Sequence, residues 1–188
     1  MRQPQRFLSG LLAGVATVAL AAAPQANERP KSTEFWDAYL NYDKYQQKDV
    51  WRTIGGSIGE TYGPKDENSC AARVSYGLNY GGAPVQKFEA ASVNLKDHTY
   101  EGKPGDSKRY IVSAMQMAAY LKKQWGAPDH QLKKPSEIAP LVEKLGTKCA
   151  IFATPNPPQG HGHAGILKQG YTDPYLNTEM PVDVWLLR

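Results

Sequence analysis

The sequence predicts a single α+β domain, in which N-terminal helices pack on a small antiparallel sheet formed by the C-terminal strands. Two observations support this prediction. Apolar residues recur at helical spacing up to position 145, and three short apolar runs bounded by turn residues follow them. At 188 residues and 41% hydrophobic content, with no internal repeat, the chain is long enough to bury one core.

The first 26 residues are expected to form a signal peptide. A basic head precedes an apolar run over 7–22, and small residues offer a cleavage site between Ala21 and Ala26. The apolar run is short for a membrane span, so no stable membrane insertion is expected after cleavage. The predicted mature domain covers 27–188 and is exported, either to a periplasm or out of the cell.

The charge of the mature chain is mildly positive. The formal net charge is +4, and removal of Arg2 and Arg6 leaves +2 because the leader contains no acidic residue. No basic run with interleaved aromatic residues occurs, which argues against a nucleic acid as partner. A weak positive balance is compatible with an anionic polymer such as cell wall.

The first element of the mature domain is predicted to be a helix capped by Thr33. A loop is expected over 54–65, because this segment is rich in glycine, serine and proline. The apolar residues that share one side of the first helix are Phe35, Trp36, Tyr39 and Leu40.

Cys70 lies in the first turn of the next predicted helix, which Asn68 or Ser69 can cap. The unpaired N–H groups and the positive end of the helix dipole stabilise a thiolate at such a position. We therefore predict that Cys70 is a nucleophile and that its own unpaired amide is an oxyanion donor. Val74 and Leu78 repeat at the same spacing, so this face of the helix turns toward the core.

The second half of the chain supplies two more helices and the sheet. Ser113 caps an amphipathic helix that Gly126 ends, and a short helix is expected over 140–145. The predicted strands are 148–154, 163–168 and 181–187.

Four histidines are candidates for the base of a cysteine hydrolase. His163 opens an apolar strand, and we favour it over His161 because a strand end positions an imidazole better than a glycine loop does. His98 and His130 are expected on the surface. Asp173 follows a predicted turn and can orient the imidazole, although an aspartate in this position is also common in plain turns.

Two alternatives to a hydrolase site stay open at this point. In an exported chain, Cys70 and Cys149 can form a disulfide, and the protein would then be a non-catalytic binding module. Without that bond, Cys149 is a small core residue in a strand. The pair His161 and His163 could face one side of a strand as metal ligands, but a third ligand at clear spacing is missing, so no metal or organic cofactor is predicted.

Several segments resemble one known family. The run Gly55–Gly59 followed by Asn68–Asn79 is similar to the nucleophile region of the family-4 amidase effectors of type VI secretion. The run Lys108–Val112 before a helix, and the late strand that begins with Gly162 and His163, resemble the rest of that pattern. The resemblance extends from about Trp36 to the C-terminus.

This resemblance implies a papain-like fold of the NlpC type and a Cys-His-Asp site. By matching motif, Cys70 would be the nucleophile, His163 the general base and Asp173 the orienting acid. The implied reaction is cleavage of peptidoglycan stem peptides between γ-D-glutamate and meso-diaminopimelate, and an immunity protein is the implied partner. A papain-like protease or transferase acting on a protein would share the same three residues.

The leader is a departure from the family, whose members are normally injected without one. A resident cell-wall enzyme and a toxin released by another route are both compatible with it.

Overall fold

The computed structural model describes residues 28–157, 162–176 and 180–188, and it confirms the predicted α+β class. The helices are α1 (Ser32–Ala38), α2 (Gln47–Ile54), α3 (Gly56–Tyr62), α4 (Cys70–Tyr80), α5 (Ala114–Trp125) and α6 (Ile138–Leu145). The strands are β1 (Ser92–Val93), β2 (Thr99–Tyr100), β3 (Lys103–Pro104), β4 (Arg109–Tyr110), β5 (His130–Leu132), β6 (Cys149–Ala153), β7 (Ala164–Lys168) and β8 (Val182–Leu186). Short 3-10 turns cover Gly63–Lys65 and Pro135–Glu137.

The main sheet is antiparallel and has the strand order β5–β8–β6–β7. All five residues of the central strand β6 are buried. Ile151 and Ala153 belong to the core under α1, α4 and α5, whereas Ala150 and Phe152 belong to the core under α6. Successive side chains of a strand point to opposite faces, so this division shows that helices cover both faces of the sheet.

The segment 54–65 is helical, which corrects the predicted loop. Gly55 has φ +66° and separates α2 from α3. A Cβ at Gly59 or at Gly63 would lie 2.7 or 2.3 Å from the side chain of Tyr100. Glycine is therefore required here because the β2–β3 hairpin packs closely on the helical segment, and it does not mark a flexible connection.

The starts of two helices and the number of strands in the sheet also differ from the prediction. Helix α1 begins at Ser32, so Thr33 is not its cap. Helix α6 begins two residues before Pro140, whose missing N–H falls in the first turn, where no intrahelical acceptor exists. The sheet has a fourth strand, β5, which the sequence analysis did not predict; three residues are too few to show a periodic pattern. The helix over 114–125 is confirmed, and the Ser113 hydroxyl caps it.

No helix within residues 28–157, 162–176 and 180–188 is long and apolar enough to cross a membrane. The predicted signal peptide lies outside the described residues.

Arg73 connects α4 to the segment between α1 and α2. Its side chain has no solvent exposure and donates hydrogen bonds to the carbonyls of Leu40 and Tyr45 and to the Ser69 hydroxyl. The guanidinium carbon also lies 3.8 Å from the ring centroid of Tyr42. One buried cation thus fixes the 39–45 segment against the helix that begins with Cys70.

We predict that Arg73→Met lowers the free energy of unfolding by about 3 kcal/mol, because two buried carbonyls lose their donors. Urea denaturation of the variant and of the parent protein measures the difference. Arg73→Lys is the matched control and should recover part of the loss, since it keeps the charge but not the three-way donation. An unchanged unfolding midpoint in Arg73→Met would contradict this role.

Candidate active site

The structure brings Cys70, His163 and Asp173 together at the edge of the sheet where α4 packs on β7. The three residues are 3%, 2% and 3% exposed. His163 Nε2 lies 2.7 Å from Asp173 Oδ1, and Cys70 is close enough to the imidazole to raise its pKa. Because the carboxylate engages Nε2, Nδ1 is the nitrogen left to interact with the sulfur. The arrangement can therefore transfer a proton between thiol and imidazole.

The backbone around His163 continues the β6–β7 pairing by one residue pair. Thr154 N–H donates to the His163 carbonyl at 3.0 Å, and His163 N–H donates to the Thr154 hydroxyl at 3.1 Å. The rings of Phe152, Tyr175 and Tyr42 have centroids 5.4, 5.5 and 6.2 Å from that of the imidazole. Strand pairing and aromatic packing together fix the orientation of the histidine.

Asp173 Oδ1 accepts a second hydrogen bond, from the Tyr175 amide at 3.0 Å. Its Oδ2 is buried and accepts no hydrogen bond from the parts of the chain that the structure describes. A Cβ on Gly165 would lie 2.3 Å from this Oδ2 and 2.9 Å from the Phe152 ring. Gly165, in β7, therefore makes the room that the carboxylate needs. Sequence analysis missed this role, and the only signal for it is the position of Gly165 two residues after His163.

The imidazole is held in its charged form. Burial would lower the pKa of His163, but hydrogen bonds with Asp173 and Cys70, and the negative charges of both groups, raise this pKa to about 9. The protonated imidazolium is therefore the form of His163 that is present at neutral pH. Since the folded pKa lies above the unfolded one, the stabilisation that this group gives is complete at low pH and is lost as the pH rises through about 9.

The amide of Cys70 is not unpaired, which corrects the prediction for the oxyanion donor. Its N–H donates to Asn68 Oδ1 at 3.0 Å, whereas Ser69 makes no side-chain cap hydrogen bond. An Asn side chain commonly bonds the backbone two residues on in this way. The Cys70 amide becomes available to a bound carbonyl only when the Asn68 side chain moves away.

The two other histidines that the structure describes lie outside this cluster. His98 is paired with Glu60 near the β2–β3 hairpin, and His130 is exposed in β5. His161 lies outside the described residues. Among the residues that the structure describes, no group of three His, Cys, Asp or Glu side chains could hold a metal ion.

The two cysteines are both free, so the proposed disulfide alternative is wrong. Cys149 is buried in β6, and its thiol donates to the carbonyl of Ser32 at 3.4 Å. Burial raises the pKa of the Cys149 thiol to about 11. Cys149 therefore stays protonated and serves as a core residue, as the sequence indicated.

The sequence model of a protein family, described as type VI secretion system (T6SS) amidase effector protein 4 or Tae4, matches residues 67–175. This range is more than half of the chain and contains Cys70, His163 and Asp173. No curated protein matches the sequence.

Solved structures with the same fold come from two organisms. The Tae4–Tai4 effector–immunity complex from Enterobacter cloacae is 22% identical, with a TM-score of 0.63 over 85% of this chain and 99% of that chain. Tae4 from Salmonella typhimurium bound to the immunity protein Tai4 from Enterobacter cloacae is 24% identical, with a TM-score of 0.59 over 85% and 100%. Tae4 from Enterobacter cloacae alone is 21% identical, with a TM-score of 0.62 over 87% and 99%.

We predict that Gly165→Ala lowers the pKa of His163 below about 9, because the added methyl displaces the Asp173 carboxylate. Titration of the imidazole by NMR measures this pKa. Gly170→Ala, in the turn that follows β7, is the control: its Cβ would meet nothing within 4 Å among the described residues, although φ is +77°. A His163 titration that is the same in both variants would show that Gly165 does not position the acid.

Proposed function

This chain belongs to the amidase effector 4 family of type VI secretion, whose members hydrolyse peptidoglycan, and we propose that it cuts the stem peptide between γ-D-glutamate and meso-diaminopimelate with Cys70, His163 and Asp173. The observation that carries the proposal is the position of the His163 ring, which lies 2.7 Å from an Asp173 oxygen and close enough to Cys70 for this residue to raise its pKa. A base between a nucleophile and an orienting acid is the arrangement that covalent acyl transfer needs.

The first half of the reaction breaks the amide. The Cys70 thiolate attacks the scissile carbonyl carbon and forms a C–S bond, and the carbonyl oxygen takes the negative charge. The His163 imidazolium then gives its proton to the leaving amine of diaminopimelate as the C–N bond breaks. A thioester between Cys70 and the glutamate side of the peptide remains, and His163 is neutral.

The second half releases the acyl group. Neutral His163 removes a proton from water, which attacks the thioester carbonyl. The C–S bond breaks, the product leaves as a carboxylic acid that ionises, and the thiolate–imidazolium pair is restored. Asp173 keeps the imidazole oriented and stabilises its charged form.

Charge on the carbonyl oxygen develops at the first turn of α4. The dipole of this eleven-residue helix favours negative charge there. The Cys70 N–H is the donor closest to the reacting carbon, and the incoming oxygen replaces Asn68 Oδ1 as its acceptor. Substrate binding and release of the Asn68 cap are thus a single exchange of one hydrogen bond for another.

The site of action is the periplasm of the target cell, where family effectors meet peptidoglycan. We propose in addition that residues 1–26 are a cleaved leader and that the mature domain starts at residue 27. N-terminal sequencing of the protein recovered from the producer's periplasm tests this, and an intact Met1 there would contradict it. The sequence is compatible with a resident cell-wall enzyme and with a toxin.

An immunity protein is the proposed partner, because solved relatives are described as complexes with the immunity protein Tai4. If this proposal is correct, periplasmic expression of the mature domain kills cells unless the producer's immunity protein is present. Survival of cells that express the active domain without it would contradict the proposal.

Substitution of Cys70 tests the chemistry. We predict that Cys70→Ala lowers the rate of muropeptide cleavage by about 10⁴-fold or more, since loss of a covalent nucleophile removes the acyl-enzyme route. Digestion of purified peptidoglycan, followed by mass spectrometry of the products, measures both the rate and the bond cut. Cys149→Ala is the matched control and should keep most of the activity. Cleavage by Cys70→Ala at the parent rate would end the proposal.

The pH dependence tests the imidazolium. We predict that kcat/KM falls as the pH rises above about 9, because neutral His163 can no longer protonate the leaving amine. Asp173→Asn should move this limb to lower pH by at least about one pH unit, since the carboxylate that favours the charged imidazole is lost.

Asp183→Asn is the control for this experiment, because Asp183 is a buried carboxylate that bonds Gln131. The basic limb of this variant should coincide with that of the parent protein. A basic limb that Asp173→Asn leaves in place would show that Asp173 does not act through His163.

A further inference from the structure

A second site lies on the opposite half of α4 from Cys70. A groove of about 290 Å³ opens between the C-terminal half of α4 and the segment that joins α1 to α2. Its aromatic lining residues are Trp36, Tyr39, Tyr45, Tyr76 and Tyr80. Asp37 and Lys44 line the same groove and are exposed, so their charged groups can reach a ligand in it.

The aromatic rings of this groove are held in place by contacts with one another and with residues outside the groove. The ring centroids of Tyr76 and Tyr80 are 4.4 Å apart. The Tyr80 hydroxyl donates to Asp106 at 2.8 Å, and Lys108 Nζ lies 4.8 Å from the Tyr80 ring centroid. Tyr80 nevertheless remains 47% exposed. Nearly half of the Tyr80 residue surface therefore faces solvent in a fixed orientation.

The ring of Trp36 is also fixed by contacts with residues outside the groove. Its centroid lies 5.3 Å from that of Tyr171, and Lys168 Nζ lies 4.9 Å from the Trp36 ring centroid. Trp36 thus forms one rigid wall of the groove and Tyr80 another. Rigid aromatic walls bind a ligand without a large loss of side-chain entropy.

We propose that this groove binds an N-acetylated sugar of the glycan strand to which the stem peptide is attached. A pyranose ring has C–H groups that pack on the electron-rich face of an aromatic ring, and hydroxyl groups around its edge. The carboxylate of Asp37 accepts hydrogen bonds from hydroxyls, and the ammonium of Lys44 donates to their oxygens. The inference rests on the proposed function, because peptidoglycan joins this sugar to the peptide that the Cys70 site would cut.

The distance between the groove and the proposed nucleophile is comparable to the length of stem peptide that separates the sugar from the proposed scissile bond. Cys70 is the first residue of α4, and Tyr76 and Tyr80 follow it by six and ten residues, which is about 9 to 15 Å along the axis. Two stem-peptide residues, L-alanine and γ-D-glutamate, separate the sugar from the proposed scissile bond and reach about 10 Å when extended.

One chain segment connects the two sites directly. Lys44 and Tyr45 line the groove, while the ring of Tyr42 lies 6.2 Å from that of His163. Arg73 fixes this segment by donating hydrogen bonds to the Leu40 and Tyr45 carbonyls. A sugar in the groove would therefore hold the attached peptide close to the imidazole.

Binding of a sugar without peptide tests the groove itself. The full-length Cys70→Ala protein is titrated with tri-N-acetylchitotriose and followed by calorimetry. We expect saturable binding that Tyr80→Ala or Asp37→Asn weakens by about tenfold. Leu95→Ala, which removes an apolar side chain of similar exposure (44%) outside the groove, should bind like the parent. Absence of saturable binding, or equal affinity in all variants, would overturn the proposal.

A kinetic comparison tests whether the sugar site serves the reaction. The substrates are a disaccharide-linked tetrapeptide and the same tetrapeptide without sugar. We expect the parent enzyme to favour the sugar-linked substrate by about tenfold in kcat/KM, and Tyr80→Ala to lose most of that preference. Asp37→Asn, which preserves shape, should reduce the preference in the same direction, and Leu95→Ala should keep it.

The two experiments separate failure of the groove from failure of the chemistry. A preference that is missing in the parent or unaffected by both groove variants overturns the sugar site, even where both substrates are cut. If neither substrate is cut, the proposed amidase function fails, and chitotriose binding still decides whether the groove holds a sugar.

Discussion

The buried contact between His163 and Asp173 is the constraint on which the rest of this site depends. Each charge alone would cost several kcal/mol to bury at this depth, so neither group is stable there without the other. The surroundings supply what the pair requires: the Tyr175 amide for the carboxylate, the absence of a side chain at Gly165, and backbone pairing through Thr154. The sulfur of Cys70 then meets an imidazole whose position and charge are already determined.

Helix α4 carries residues of both proposed sites. Cys70 occupies the end where the dipole is positive, Arg73 one turn later holds the neighbouring 39–45 segment, and Tyr80 lies at the other end. Packing of this helix on β7 brings the first turn to the strand end that carries His163. A residue of the 39–45 segment can thus influence how a proposed peptide substrate lies beside the Cys70 sulfur, even when that residue is far from the sulfur.

Local sequence signals predicted the elements that depend on interactions between residues close together in the chain. The start of α4 followed from capping residues and apolar spacing, and the cap at Ser113 and the three longer strands were found in the same way. The α+β class required only their order along the chain. The meeting of Cys70, His163 and Asp173 was suggested by type and position, but the structure had to bring them together, and their catalytic roles stay a proposal.

Features that depend on contacts between distant segments were not predictable in this way. The glycines at 59 and 63 indicate a loop by composition, yet they allow a helix to approach Tyr100. The Cys70 amide was expected to be unpaired because helix starts leave such groups free, and a local Asn68 cap occupies it instead. The role of Gly165 follows only from the position of the Asp173 carboxylate next to it.

The protonated state of Cys149 has a consequence for the chemistry of oxidation. A disulfide requires a second thiolate within reach, and the only other cysteine of the chain, Cys149, has a neutral, hydrogen-bonded thiol inside the sheet. An oxidant that reaches Cys70 therefore converts it to a sulfenic acid without an intramolecular resolving partner. Recovery of such a protein depends on an external reductant, so damage by peroxide accumulates wherever none is supplied.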